Sequence, residues 1–206
     1  MADRQASMAG GVGVLAPLPR TFFARATETV AKDLLGKLIL RQHETGDRQL
    51  ARIVEVEAYL GLRDLASHAR RGPTPRAAIM FGPPGHLYVY LIYGMYHCMN
   101  FVTEPDGEAG AVLIRAAEPV LGVTTDDARA LSGPGKLCRA LGITLAHRGA
   151  DLTLSESPLV VCDDGAPAPR RARSTRIGVD YAGAWSERLQ RCYVPTSALD
   201  DERIRQ

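Results

Sequence analysis

At 206 residues the chain can bury one substantial core and is near the usual size of a single domain. A hydrophobic fraction of 46% with 23% charged residues excludes wholesale disorder, and no apolar run approaches the ~20 residues of a membrane-spanning helix. The formal net charge of +2 is too small to mark a nucleic-acid binder by bulk charge alone.

In chain order, residues 1–19 read as a flexible arm. They are weakly apolar, carry Asp3, lack a basic start and are broken by glycines, which does not match a secretory signal. One domain is expected over residues 20–206. In TFFARATETVAKDLLGKLILRQ, Val30, Leu34 and Leu35 recur at helical spacing up to Gly36, and a strand follows. KLILRQ and LARIVEVEAYL, separated by the polar HETGDRQ, predict two antiparallel strands joined by a hairpin-like loop. Pro73, Pro75, Pro83 and Pro84 make the next stretch a loop region. HLYVYLIYGMYHCMNFVT predicts two strands turning at Tyr93-Gly94, and AGAVLIRAAEPV a further strand that ends before Pro119. A polar helical region, a short helix at KLCRALG and strands at DLTLSES and PLVVCDD complete the order. Without a βαβ rhythm, these elements predict an α+β fold with a mixed, largely antiparallel sheet and flanking helices.

Lys32, Lys37 and Lys136 are the only lysines, so the cations are mostly arginines, whose planar fork suits phosphates and base edges. A generally arginine-rich composition gives the same bias. Two clusters, Arg70, Arg71 and Arg76, then Arg170, Arg171, Arg173 and Arg176, are expected on exposed loops able to meet phosphates. Cys98, Cys138, Cys162 and Cys192 have no zinc-ligand spacing, which points to reduced, buried thiols in a cytoplasmic protein without a metal site.

In IVEVEAY, Glu55 and Glu57 share one strand face with Tyr59 while the valines take the other. A solvated strand face has the same pattern; so does a glycosidase acting through paired carboxylates. His68 falls in an arginine-flanked loop. Tyr88, Tyr90, Tyr93 and Tyr96 cluster within nine residues. They fit either a core aromatic ladder or a cleft that stacks flat bases, with one aromatic at a hairpin tip to wedge into a duplex.

EVEAYLGLRDLASH, the TPR at 74–76, MFGPPGHLYVYLIYGMYHCMN, VLIRAAEP and SGPGKL, in this order, closely resemble the alkyladenine (3-methyladenine) DNA glycosylase family. The resemblance covers about residues 20–195. It implies a single-domain α+β fold with an antiparallel sheet and a protruding β-hairpin that enters the DNA minor groove. It further implies a monomeric, monofunctional base-excision enzyme, without cofactor or metal, whose partner is double-stranded DNA bearing damaged purines. By position, Glu57 matches the catalytic carboxylate, and Arg115 a basic residue beside the catalytic water. Tyr59, His68 and Tyr90 match the walls around the flipped base, and Asn100 the discriminating side chain at the pocket floor. Tyr93 matches the wedge, with Tyr96 and Arg76 among the DNA-contacting residues. His97 and Cys192 depart from the family's usual aromatics, which bears on pocket shape.

Two other readings compete. A non-catalytic damage-binding protein shares the cleft and wedge, but the acid such a protein would lack is present as Glu57. A glycosidase of free sugars or nucleosides fits the Glu55/Glu57 pair yet leaves Tyr93 and the loop arginines without a purpose.

Overall fold

The computed structural model describes residues 15–123 and 129–195. Among these described residues, three short α-helices, α1 (Arg20–Phe23), α2 (Thr27–Leu34) and α3 (Pro134–Ala140), accompany eight strands. These are β1 (Leu38–Gln42), β2 (Arg48–Tyr59), β3 (Leu87–Ile92), β4 (Tyr96–Val102), β5 (Ala111–Leu121), β6 (Leu159–Cys162), β7 (Ala172–Ser174) and β8 (Arg191–Tyr193). They form one sheet in the order β3-β4-β5-β2-β1-β6, with β8 joined to β2 and β7.

The fold is α+β, as expected, and all its strand pairings among the described residues are antiparallel. The expected parallel component is therefore not found there: neighbouring strands are joined by hairpins and loops, and no helix makes the crossover that a parallel pair requires.

Alternation along the strands sorts the side chains into two faces. Val56, Val89, Met99, Phe101, Val112 and Ile114 lie in the main core together with Val30, Ala31 and Leu34 of α2 and Leu137 of α3. Each fully buried Val, Leu, Ile, Met or Phe among them contributes about 1.5–3 kcal/mol. The other face carries a row that runs straight across four strands, Glu57 opposite Leu113, Leu113 opposite Asn100, and Asn100 opposite Tyr88. Register alone thus brings a carboxylate, an amide and an aromatic ring to one place. The β2–β5 register shifts on either side of Glu55, a bulge of the kind that re-aims side chains beside active sites.

Several local expectations need correction. The arm does not extend to residue 19: Leu18 donates its amide to Val161 at 2.7 Å, Pro17 bridges to Cys162, and Leu15 packs against the small cluster around them. DLTLSES is a run of turns and not a strand, because Asp151 Oδ1 accepts from the amide and hydroxyl of Thr153, a local bond that competes with a ladder. β5 continues through Pro119, which the sheet accommodates where Ala51 faces it beside a register shift. The second arginine cluster holds the strand β7, and Arg176 is buried. The polar helical region expected after β5 falls mostly on residues 124–128, outside the described residues.

Candidate active site

Glu57 is completely buried beneath a cavity of about 440 Å³. Its Oε1 accepts from the backbone amide of Ile177 at 2.8 Å and lies 3.2 Å from Arg115 Nη1, while Oε2 accepts from the Tyr59 hydroxyl at 2.8 Å. A buried carboxylate is tolerable only when paired and hydrogen-bonded in this way. Glu55, also buried, binds the far side of the same cation: Arg115 Nε is 3.2 Å from Glu55 Oε1, and Arg191 Nη1 is 3.0 Å from that oxygen. Both acids of the sequence pair therefore face inward, and neither belongs to a solvated strand face.

The surrounding electrostatics fix protonation states. Burial, reinforced by Glu57, pushes the Tyr59 phenol well above its ordinary range, so it stays a donor. Burial opposes the Arg115 charge, but Glu57 and Glu55 outweigh it and raise its pKa. Burial together with Arg76 and Arg70 pulls the His68 imidazole down to about 4, so it is neutral near pH 7. Its Nδ1 is 2.9 Å from the Tyr88 hydroxyl, which burial likewise keeps protonated.

Three rings line one side of the cavity. His68 meets Tyr90 edge-on at 4.6 Å between centroids, and Tyr88 lies 5.4 Å from Tyr90. Arg76 sits over the outer ring of Tyr90 at 4.9 Å. Asn100 is buried and donates to the Tyr88 carbonyl at 3.2 Å, which orients its amide. Beside the mouth the β3–β4 hairpin ends at Tyr93, 82% exposed, followed by Met95, 65% exposed.

Of the residues singled out from sequence, Tyr59, His68, Arg76, Tyr90, Tyr93, Asn100 and Arg115 all line this one cavity, and Glu57 lies bonded beneath it. Tyr96 does not line it. It is the first residue of β4 after the turn, paired with Ile92, and stands against Gly135, where any Cβ would come within 3.1 Å of the tyrosine. Tyr88 is readable by its two-residue spacing from Tyr90, although that spacing assigns it no role. Ile177, Val179 and Tyr181 also line the cavity, and no local signal marks them, because they reach it from more than a hundred residues downstream of β2. Among the described residues, no cluster of His, Cys, Asp or Glu is arranged to hold a metal ion.

The family model described as methylpurine-DNA glycosylase matches residues 21–198. The chain belongs to this family. It is accordingly a DNA-repair enzyme, a monofunctional DNA glycosylase. Relatives that carry the provisional name 3-methyladenine DNA glycosylase include one from Anaeromyxobacter dehalogenans, 55% identical over 88% of this chain and 84% of its own. Another, from Myxococcus xanthus, is 49% identical over 87% of this chain and 91% of its own. A third, from Methanocella arvoryzae, is 48% identical over 90% and 96%. Among the described residues of this glycosylase, no helix is long and apolar enough to cross a membrane.

Proposed function

We propose that this glycosylase flips alkylated or deaminated purines, of the 3-methyladenine, 7-methylguanine and hypoxanthine type, out of duplex DNA and hydrolyses the N-glycosidic bond with a Glu57-activated water. The single observation that carries this reading is the placement of Glu57. It is a fully buried carboxylate under an aromatic cavity, held by one cation and two hydrogen-bond donors. As the base departs, positive charge develops on the deoxyribose, and a fixed carboxylate next to C1′ stabilises that charge. The water oxygen bonds to C1′, the glycosidic electron pair leaves with the base, and Glu57 accepts the water's proton.

Arg115, clamped between Glu55 and Glu57, orients the carboxylate and water. Tyr59, His68 and Tyr90 wall the flipped base, and cationic alkylated bases gain about 0.5–2 kcal/mol over the aromatic faces. Asn100 discriminates against guanine's exocyclic amino group at the floor, and Tyr93 fills the gap left in the stack, with Tyr96 and Arg76 supporting the DNA around it. The exposed tip residues favour a duplex over a free nucleoside as substrate. In this reading one catalytic domain acts as a monomer on DNA in the cytoplasm, with no cofactor.

Single-turnover excision from a hypoxanthine duplex tests the assignment. Glu57→Gln is expected to retain DNA binding and lose at least ~10²-fold in rate. Glu55→Gln is expected to lose less, since Glu55 reaches the reaction only through Arg115. The reverse ranking overturns the assignment.

A further inference from the structure

Arg176 and Asp64, 112 residues apart, form an ion pair in which both side chains have no exposed surface. Two guanidinium nitrogens reach the two carboxylate oxygens at 2.5 and 2.9 Å, a two-pronged geometry that fixes orientation as well as distance. The same guanidinium donates to the Ala58 carbonyl at 2.9 Å and the Trp185 carbonyl at 3.3 Å, and its Cζ stands 4.7 Å from the centre of the Tyr59 ring. Asp64 accepts in addition from the amides of Leu60 and Ala66, at 3.0 Å each. One buried pair therefore ties together the end of β2, the loop leading to His68, and the segment carrying Ile177, Val179 and Tyr181. Burial opposes the Arg176 charge, and Asp64 more than restores it.

A buried ion pair is a poor stabiliser, because desolvation offsets most of the attraction and apolar replacements are often neutral or better. Here even Arg176 Nε is left buried without a hydrogen-bond partner. What the pair provides is direction. Its two neighbours toward the site are the Tyr59 ring and, one residue along the chain, the Ile177 amide, and these are two of the three groups that hold Glu57.

We infer that Arg176 and Asp64 are positioning residues for excision: they hold Tyr59 and the Ile177 amide against Glu57 and so aim its carboxylate at the reacting carbon. The inference rests on Glu57 being the catalytic carboxylate. It is tested on the full chain by single-turnover excision from a hypoxanthine duplex, well below each variant's melting temperature. The double variant Arg176→Met with Asp64→Asn leaves no unpaired charge buried and keeps one carbonyl oxygen, which can accept from the Ala66 amide but not also from that of Leu60. It is expected to melt within about 10 °C of the parent. Its affinity for the lesion duplex is expected to stay within a few-fold, while the excision rate falls about 10²-fold, the scale of a small misplacement.

In a Glu57→Gln background the same pair of changes is expected to cost less than a few-fold more, because the carboxylate it aims is gone. Arg176→Lys keeps a charge opposite Asp64 without the two-pronged bond or the stack, and is expected to lie between, about tenfold down. If the double variant does not fold, Arg176→Lys is measured in the same two backgrounds. A folded variant that excises at the parental rate overturns the inference. So does a loss of equal size with and without Glu57, which marks general loosening. Near-parental excision by Glu57→Gln alone overturns the catalytic reading instead, and is seen separately.

Discussion

His68 shows how a single side chain is fitted to its pocket. A loop histidine flanked by Arg70, Arg71 and Arg76 suggests a surface charge, yet the ring is half-buried against Tyr90 and bonded to Tyr88, and is neutral near pH 7. A neutral imidazole does not repel an alkylated, cationic base, whereas a protonated one does. The sign of its pH linkage follows directly. The folded pKa of about 4 lies below the ordinary 6.5, so the unfolded chain takes up the proton first. His68 therefore contributes stability that is complete above pH 6.5 and is lost as pH falls toward 4. Urea unfolding across that interval is expected to show stability declining with acidity, and His68→Gln to flatten the decline. A variant with the parental slope assigns the linkage to other groups.

Among the elements, the β3–β4 hairpin carries a visible conflict between local preference and use. Tyr93 and Gly94 both have positive φ, 54° and 70°, and the Met95 amide bonds back to Ile92, the pattern of a type I′ turn. Glycine is at home there; a tyrosine costs on the order of 1–2 kcal/mol. Holding a large exposed ring at that position is expected of a residue needed elsewhere than in the fold. Tyr93→Asn relieves the strain and removes the ring proposed as the wedge. Thermal melting is expected to hold or rise, while excision of a stacked lesion slows and excision of an already unpaired lesion slows less. Equal losses on the two substrates argue against a wedge. This hairpin was legible in the sequence because its signals are local: Tyr-Gly at the turn, Tyr88 and Tyr90 alternating before it and Tyr96 just after it. The β1–β2 hairpin and the Glu57–Tyr59 face were legible for the same reason. DLTLSES was misread because alternation carries no information about the Asp151 side-chain bonds that hold it in turns.

At the scale of the molecule, what escaped the sequence is what long-range packing decides: the Ile177 amide on Glu57, Arg191 on Glu55, and Arg176 on Asp64, each joined across more than a hundred residues. The charge distribution is another case. Two arginine clusters look equivalent in the sequence and have different fates. In the second, Arg176 is buried, Arg171 lies 3.3 Å from Asp33 and Arg173 lies 3.6 Å from Glu28. In the first, Arg70, Arg71 and Arg76 line a hollow of about 250 Å³ that shares Ala66, His68, Arg76 and Tyr181 with the main cavity. With a net charge of only +2, this hollow beside the mouth is where the proposed function expects phosphate to be held. Each phosphate neutralised steepens the fall of log affinity with log salt by about 0.9. Arg71→Ala is expected to weaken binding to lesion and undamaged duplexes alike and to reduce that slope by about one, leaving the preference for the lesion unchanged. Arg173→Ala removes the same charge from an exposed pair away from this hollow, and is expected to leave the slope and the excision rate near parental values. Fluorescence anisotropy on one lesion duplex over a range of salt concentrations distinguishes the two, and a slope that responds to Arg173 but not to Arg71 places the DNA on another face.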